Sequence, residues 1–182
     1  MNPAPTAPLR LSVREDDRLL NIVLHNDTDT PFSGTARCRI EQTDGFCRGE
    51  TAERVTAPPQ SETQLLFFDR REIREKKEIL RLFLLDGEGN ERYETCWWSE
   101  KLRARRFGGR RLETEVFLRA GTVCVSVRAA AFAPEVRLSC EGCAFSENGF
   151  TLFVGEEKTV EIQSARADFA GKVIARCALD RK

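Results

Sequence analysis

The chain has 182 residues, of which 41% are apolar and 32% charged, and its 29 basic side chains balance 29 acidic ones. That length holds one sizeable domain or two small ones. No apolar run approaches the ~20 residues of a membrane-spanning helix, so a membrane partner is not expected.

The first ten residues, MNPAPTAPLR, contain prolines but no apolar stretch of the kind an export signal carries. Residues 1–7 therefore read as a disordered lead-in, and the cytoplasm is the expected compartment. From residue 8 onward the dominant period is two. Leu20, Ile22 and Leu24 mark one half-buried strand, and Ala36, Cys38 and Ile40 mark another. Turn residues punctuate the pattern at Asp27–Pro31, Thr43–Gly45, Ala57–Pro59 and Asp86–Asn90. The stretch Asp69–Glu78, DRREIREKKE, departs from it, and its interleaved charges suit a helical turn or a solvated connection.

After Tyr93–Trp98 the alternation stops, and SEKLRARRFGGR intervenes. Strands then resume with Leu112, Thr114, Val116 and Leu118 on one face, followed by Val123, Val125 and Val127, and by Val136, Leu138 and Cys140. Short strands joined by tight turns, with almost no helical period, predict an all-β fold of antiparallel sandwiches. The expected organisation is two consecutive immunoglobulin-like sandwiches, residues 8–98 and 110–182, joined by a basic linker, 99–109. Leu102 and Phe107 are the linker residues apolar enough to dock on a module.

Charge is uneven along the chain. Residues 1–100 hold 14 Lys/Arg against 19 Asp/Glu, and residues 101–182 hold 15 against 10. The basic excess belongs to Lys101, Arg103, Arg105, Arg106, Arg110 and Arg111. Phosphate contacts would suit such a cluster, but with no stacking surface or recognition motif beside it the stretch reads as an interdomain strap, and no nucleic-acid partner is expected.

Seven scattered cysteines, an odd number, favour a reducing compartment over a disulfide framework. Cys140-x-x-Cys143 has zinc-knuckle spacing, yet there is no second pair and the lone His25 is remote in sequence, so no metal site is expected. His25, in Leu-His-Asn-Asp at a strand end, reads as a surface or capping residue, and no nucleophile motif accompanies it. Catalytic and cofactor-binding residues are expected to be absent. Trp97 and Trp98 are expected on opposite faces of a strand, one in the core and the other packed under the linker, with a sugar ring as the alternative contact of the outward one.

The segment Phe145-Ser-Glu-Asn-Gly-Phe-Thr-Leu-Phe-Val-Gly-Glu-Glu-Lys-Thr-Val-Glu-Ile162 resembles the final immunoglobulin-like domain of β-mannosidases in glycoside hydrolase family 2. That family commonly shows Phe-Ser-Asp-Asn-Tyr-Phe-Asp-Leu-x-Pro-Gly-Glu before an alternating strand. Here Glu147, Gly149, Thr151 and Val154 stand at four of its positions with a different residue. Residues 130–139 look like the preceding strand pair, and the first module is similar to the sandwich that precedes the last domain. In that family the catalytic glutamates lie in a (β/α)8 barrel of about 250 residues, more than this chain contains.

The resemblance thus implies a noncatalytic C-terminal accessory region that stabilises or orients a catalytic barrel, its partner in cis. A stand-alone carbohydrate-binding or protein-interaction module, with an oligosaccharide as ligand, is the alternative. Phe145, Phe150, Leu152 and Val154 are expected in the core, and Trp97, Trp98, Glu147 and Asn148 are the candidate ligand or interdomain contacts.

Overall fold

A computed structural model describes residues 7–104, 111–163, 169 and 171–180. Most of the expected lead-in, and linker residues 105–109 with Phe107 among them, lie outside the described residues. The fold is all-β and antiparallel. The chain divides into one unit of Met1–Gln42 and Phe46–Leu102 and a second of Thr43–Gly45 and Arg103–Lys182.

The first unit contains β1 (Leu9–Glu15), β2 (Leu19–Asn26), β3 (Phe32–Gln42), β4 (Cys47–Ala57), β5 (Ser61–Asp69), β6 (Glu78–Asp86) and β7 (Glu91–Trp97). They form a three-stranded sheet, β1-β2-β5, and a four-stranded sheet, β4-β3-β6-β7. Register decides which side chains meet. Leu11 pairs with Leu24 and Val13 with Ile22, while Ala36 pairs with Leu84, Cys38 with Leu82 and Ile40 with Leu80. Leu20, Ile22, Leu24, Ala36, Leu80, Leu82 and Leu84 are all fully buried. Each large aliphatic chain so buried contributes about 1.5–3 kcal/mol, and a one-residue slip would turn every one of them to solvent. Gly34 is required by close approach, because a Cβ there would clash with the Leu85 carbonyl oxygen.

The second unit contains β8 (Leu112–Arg119), β9 (Thr122–Ala129), β10 (Ala133–Ser139), β11 (Ala144–Phe145), β12 (Phe150–Leu152), β13 (Glu157–Gln163) and β14 (Ile174–Arg176). Its sheets are β12-β10-β14 and β11-β13-β9-β8. The β8–β9 hairpin closes through Ala120 (φ 49°) and Gly121 (φ 82°). Two successive left-handed residues make the type I′ geometry that matches strand twist. Val123, Val125 and Val127 line one inner face, and Phe132, Val136, Leu138, Phe150 and Leu152 also enter the core.

Three expectations need correction. In β8 only the start of the apolar face is covered: Leu112 is buried, whereas Val116 and Leu118 are 38% and 54% exposed. A cavity of about 440 Å³ lined by Leu112, Thr114 and residues 173–176 marks where the short β14 meets this edge strand, and Val116 and Leu118 lie past it. Near Gly155 the alternation breaks, because β12 ends at Leu152 and the chain turns. Phe153 is buried there, its ring 5.5 Å from that of Phe132, and Val154 is left 38% exposed.

The charged stretch Asp69–Glu78 forms a helical turn, one of its two expected forms, but it is not a purely solvated face. A 3-10 turn at Arg70–Glu72 is capped by the Asp69 carboxylate, which accepts from the Arg71 N–H. Ile73 follows in the core, and Glu78 is completely buried. Leu102 is buried as the linker reading expects, at the end of the first unit.

Candidate functional site

Trp97, the last residue of β7, pairs in register with Leu80 and is 6% exposed. Its indole N–H donates to a Glu15 carboxylate oxygen at 2.8 Å, and the Arg70 guanidinium sits 6.0 Å from its ring centroid. This indole is packed as core. Trp98, the residue that follows the strand, is half-buried.

Glu147 and Asn148 belong to the second unit and share one corner. Glu147 forms an exposed ion pair with Lys158 at 2.5 Å. The Asn148 side chain is used by the fold: its amide oxygen accepts from the Leu138 N–H at 2.8 Å, and its amide nitrogen donates to the Leu138 carbonyl at 3.0 Å. A side-chain amide thus replaces a strand residue beside β10, while Gly149, at φ 81°, continues the attachment by donating to the Val136 carbonyl.

His25 is not the surface residue its sequence context suggests. It is 7% exposed. Its Nε2 lies 2.7 Å from the Ser12 hydroxyl, and its Nδ1 lies 3.1 Å from a Glu62 carboxylate oxygen. Cross-strand pairing brings these residues together, because β1 and β5 flank β2 and Glu62 is the direct partner of His25. The Ser-His-Glu order has the connectivity of a nucleophilic relay. It lies along three neighbouring strands of one sheet, and Glu62 is shared with Arg14 at 2.5 Å. It ties β1, β2 and β5 together.

A concavity of the first unit, about 750 Å³, lies where the 3-10 turn meets the end of the β-sandwich, with Arg70, Arg74, Glu75, Lys77, Lys101 and Asp17 in its wall. Several of its charges are paired. Arg70 bonds Glu75 at 3.0 Å, Lys101 also pairs with Glu75, and Arg71 bonds Asp69 at 2.7 Å. The linker cations follow the same rule: Arg103 reaches Glu135 at 3.4 Å. Arg111 is buried and donates to the Phe132 carbonyl at 2.7 Å. Arg105, Arg106 and Arg110 lie outside the described residues.

Beside this concavity Glu78 carries a carboxylate with no exposed surface. Burial raises its pKa, but two hydrogen bonds from Arg48 and one from the Arg74 backbone N–H outweigh it, so the group ends below its ordinary 4.5. Glu75 behaves likewise, with burial raising it and Lys101 and Arg70 lowering it further. Asp86 is held low mainly by the Asn90 backbone N–H, and Asp16 by that of Leu19. A carboxylate depressed in the folded state stabilises above its unfolded pKa and loses that contribution as pH falls through the folded value. The thermal midpoint should therefore hold steady from about pH 7 to 5 and drop as pH falls below about 4.5. A midpoint unchanged at about pH 3 would refute this.

Among the described residues no group of three or more His, Cys, Asp or Glu side chains is placed to hold a metal ion. No described helix is long and apolar enough to cross a membrane.

Comparison with known proteins places these features. Residues 110–179 match the model of the Ig_mannosidase family, an Ig-fold domain. No curated protein matches the chain in sequence. Among solved structures, the β-D-mannosidase of Dictyoglomus thermophilum is similar over 94% of this chain and 22% of its own, with a TM-score of 0.65 and 15% identity. The exo-chitosanase of Amycolatopsis orientalis is similar over 94% of this chain and 26% of its own, with a TM-score of 0.63 and 14% identity. At such identities the likeness establishes the fold, and this chain spans about a quarter of either enzyme's length. Residues 110–179 are accordingly similar to the mannosidase-type Ig-fold domain implied by Phe145–Ile162, in a chain that shares its fold with part of these two enzymes.

Proposed function

We propose that the chain is a noncatalytic accessory region of a β-mannosidase-like glycoside hydrolase, stabilising or orienting a catalytic barrel with which it associates in cis. The observation that carries this reading is the pair of coverages: 94% of this chain is matched by 22% of a mannosidase and 26% of an exo-chitosanase, so the same tandem fold occurs there inside much longer polypeptides. Side chains fill both sandwich interiors, which suits a supporting role. The reading frame on the 5′ side of the Met1 codon tests the cis association. A frame continuing into a barrel with two glutamates at strand ends is expected, and an in-frame stop codon there would overturn it.

One observation favours a second reading, an oligosaccharide-binding module. The 750 Å³ concavity beside Arg70 and Lys101 is within the size range of ligand sites, about 300–1,000 Å³, and its wall is rich in hydrogen-bonding groups. Calorimetry with mannan oligosaccharides separates the two. The accessory reading predicts no saturable heat, whereas saturable binding that is lost in Arg74→Ala would establish the binding module.

A further inference from the structure

The connection between β10 and β11 is Cys140-Glu-Gly-Cys143, with Ser139 ending one strand and Ala144 starting the next. The Cys143 N–H points to the Cys140 carbonyl at 3.4 Å, and Gly142, third in the turn, has φ 71°. This is the type II turn pattern, in which glycine takes the left-handed position and the outer Cα atoms approach within about 7 Å. A disulfide requires Cα atoms about 4.4–6.8 Å apart. The turn thus holds its two cysteines near bridging separation.

The side chains complete the arrangement. The Cys143 thiol lies 3.4 Å from the Cys140 sulfur, and both residues are half-buried, open to a small reagent. Pairing of Ser139 with Ile174 fixes the strand on one side. A Cβ added to Gly171 would stand 3.1 Å from the Cys140 sulfur, so that glycine leaves the room the thiol occupies.

Hydrogen bonding to Cys140, then burial, raises the Cys143 pKa. Exchange should therefore quicken as pH rises, since the thiolate is the attacking form. Three other thiols compete poorly: burial pushes Cys38 and Cys96 up to about 12 and Cys177 up to about 11. Zinc would need two further ligands, and the described residues gather no set of three.

We propose that Cys140 and Cys143 are a reversible redox modification site, a dithiol that closes to an intramolecular disulfide by exchange with a low-molecular-weight disulfide of the glutathione type. One cysteine thiolate attacks the glutathione disulfide, forming a mixed disulfide and releasing one glutathione, which takes up the proton the cysteine lost. The neighbouring thiol loses its proton and attacks the protein sulfur of that mixed disulfide, expelling the second glutathione. Two electrons pass from the protein to glutathione, and one disulfide replaces another.

The test is to incubate the full chain with oxidised glutathione at about pH 8.5, quench with acid, alkylate and weigh the protein. The wild type should become two hydrogens lighter, keep five of its seven thiols alkylatable, yield a Cys140–Cys143 linked peptide and return to the starting mass with dithiothreitol. Cys140→Ser and Cys143→Ser should instead each retain a glutathione on the remaining cysteine. Seven alkylatable thiols in the treated wild type, or a stable glutathione adduct on either residue, would overturn the proposal, and this wild-type result decides whether or not the variants fold.

Discussion

Arg48→Ala should cost the first unit about 3–5 kcal/mol, the loss typical of breaking a buried ion pair from one side. Glu78 opens β6 opposite Gln42, at a position where its whole carboxylate is removed from water. Arg48 bonds both its oxygens, Nε to Oε1 at 2.8 Å and Nη2 to Oε2 at 3.1 Å, and the Arg74 N–H adds a third bond at 2.9 Å. Without Arg48 that carboxylate stays buried with one strong donor left. The residual stability of a domain, about 5–15 kcal/mol, makes such a loss large. Both tryptophans, Trp97 and Trp98, lie in the first unit, so the midpoint of urea unfolding followed by fluorescence reads this unit specifically. The double variant Arg48→Met with Glu78→Leu should recover most of the loss, because an apolar pair of similar volume often replaces a buried ion pair without penalty. A cost below about 1 kcal/mol for Arg48→Ala would put the pair in the class of exposed surface bridges.

Phe132→Ala is expected to cost the second unit a similar amount, about 3–5 kcal/mol. Phe132 is 1% exposed and faces Phe153 with ring centroids 5.5 Å apart. Alanine would leave a cavity bordered by that ring and would remove the aromatic pair, while Phe132→Leu should cost much less because it keeps most of the volume. The only tyrosine, Tyr93, and both tryptophans lie in the first unit. Hydrogen exchange along β9, β10 and β13 is therefore the suitable probe. Faster exchange in those strands with no change in β2 and β6 is the expected outcome, and equal acceleration throughout would mean that the two units unfold as one.

Much of the fold is legible in local pattern. Alternation places Leu20, Ile22 and Leu24, and later Val123, Val125 and Val127, on buried faces, and turn residues such as Asp86 and Gly121 are found where strands reverse. What escapes the local pattern depends on strands distant in sequence. The burial of His25 follows from β1 and β5 lying on either side of β2, which brings Ser12 and Glu62 to its ring from 13 and 37 residues away. Glu78 reads as the end of a charged run until Arg48, 30 residues earlier, is found against it. Arg111 reads as the last of a basic cluster, and its inward turn depends on the Phe132 carbonyl.

Phe153 and Val154 exchange expected roles for a simpler reason. A strand of three residues ends before the alternation can be extrapolated, and the turn that follows rotates the next side chain inward. For the candidate contacts the residue types are informative and their employment is not. Asn148 reads equally well as a surface amide and as the backbone clamp on Leu138 that it forms.

Turnover is the most direct measure of the central claim, that these sandwiches support catalysis without performing it. The purified chain incubated with nitrophenyl β-mannoside and nitrophenyl β-glucosaminide should release no nitrophenol above the blank. Release that disappears when a single glutamate or aspartate of this chain is changed to its amide would contradict the account.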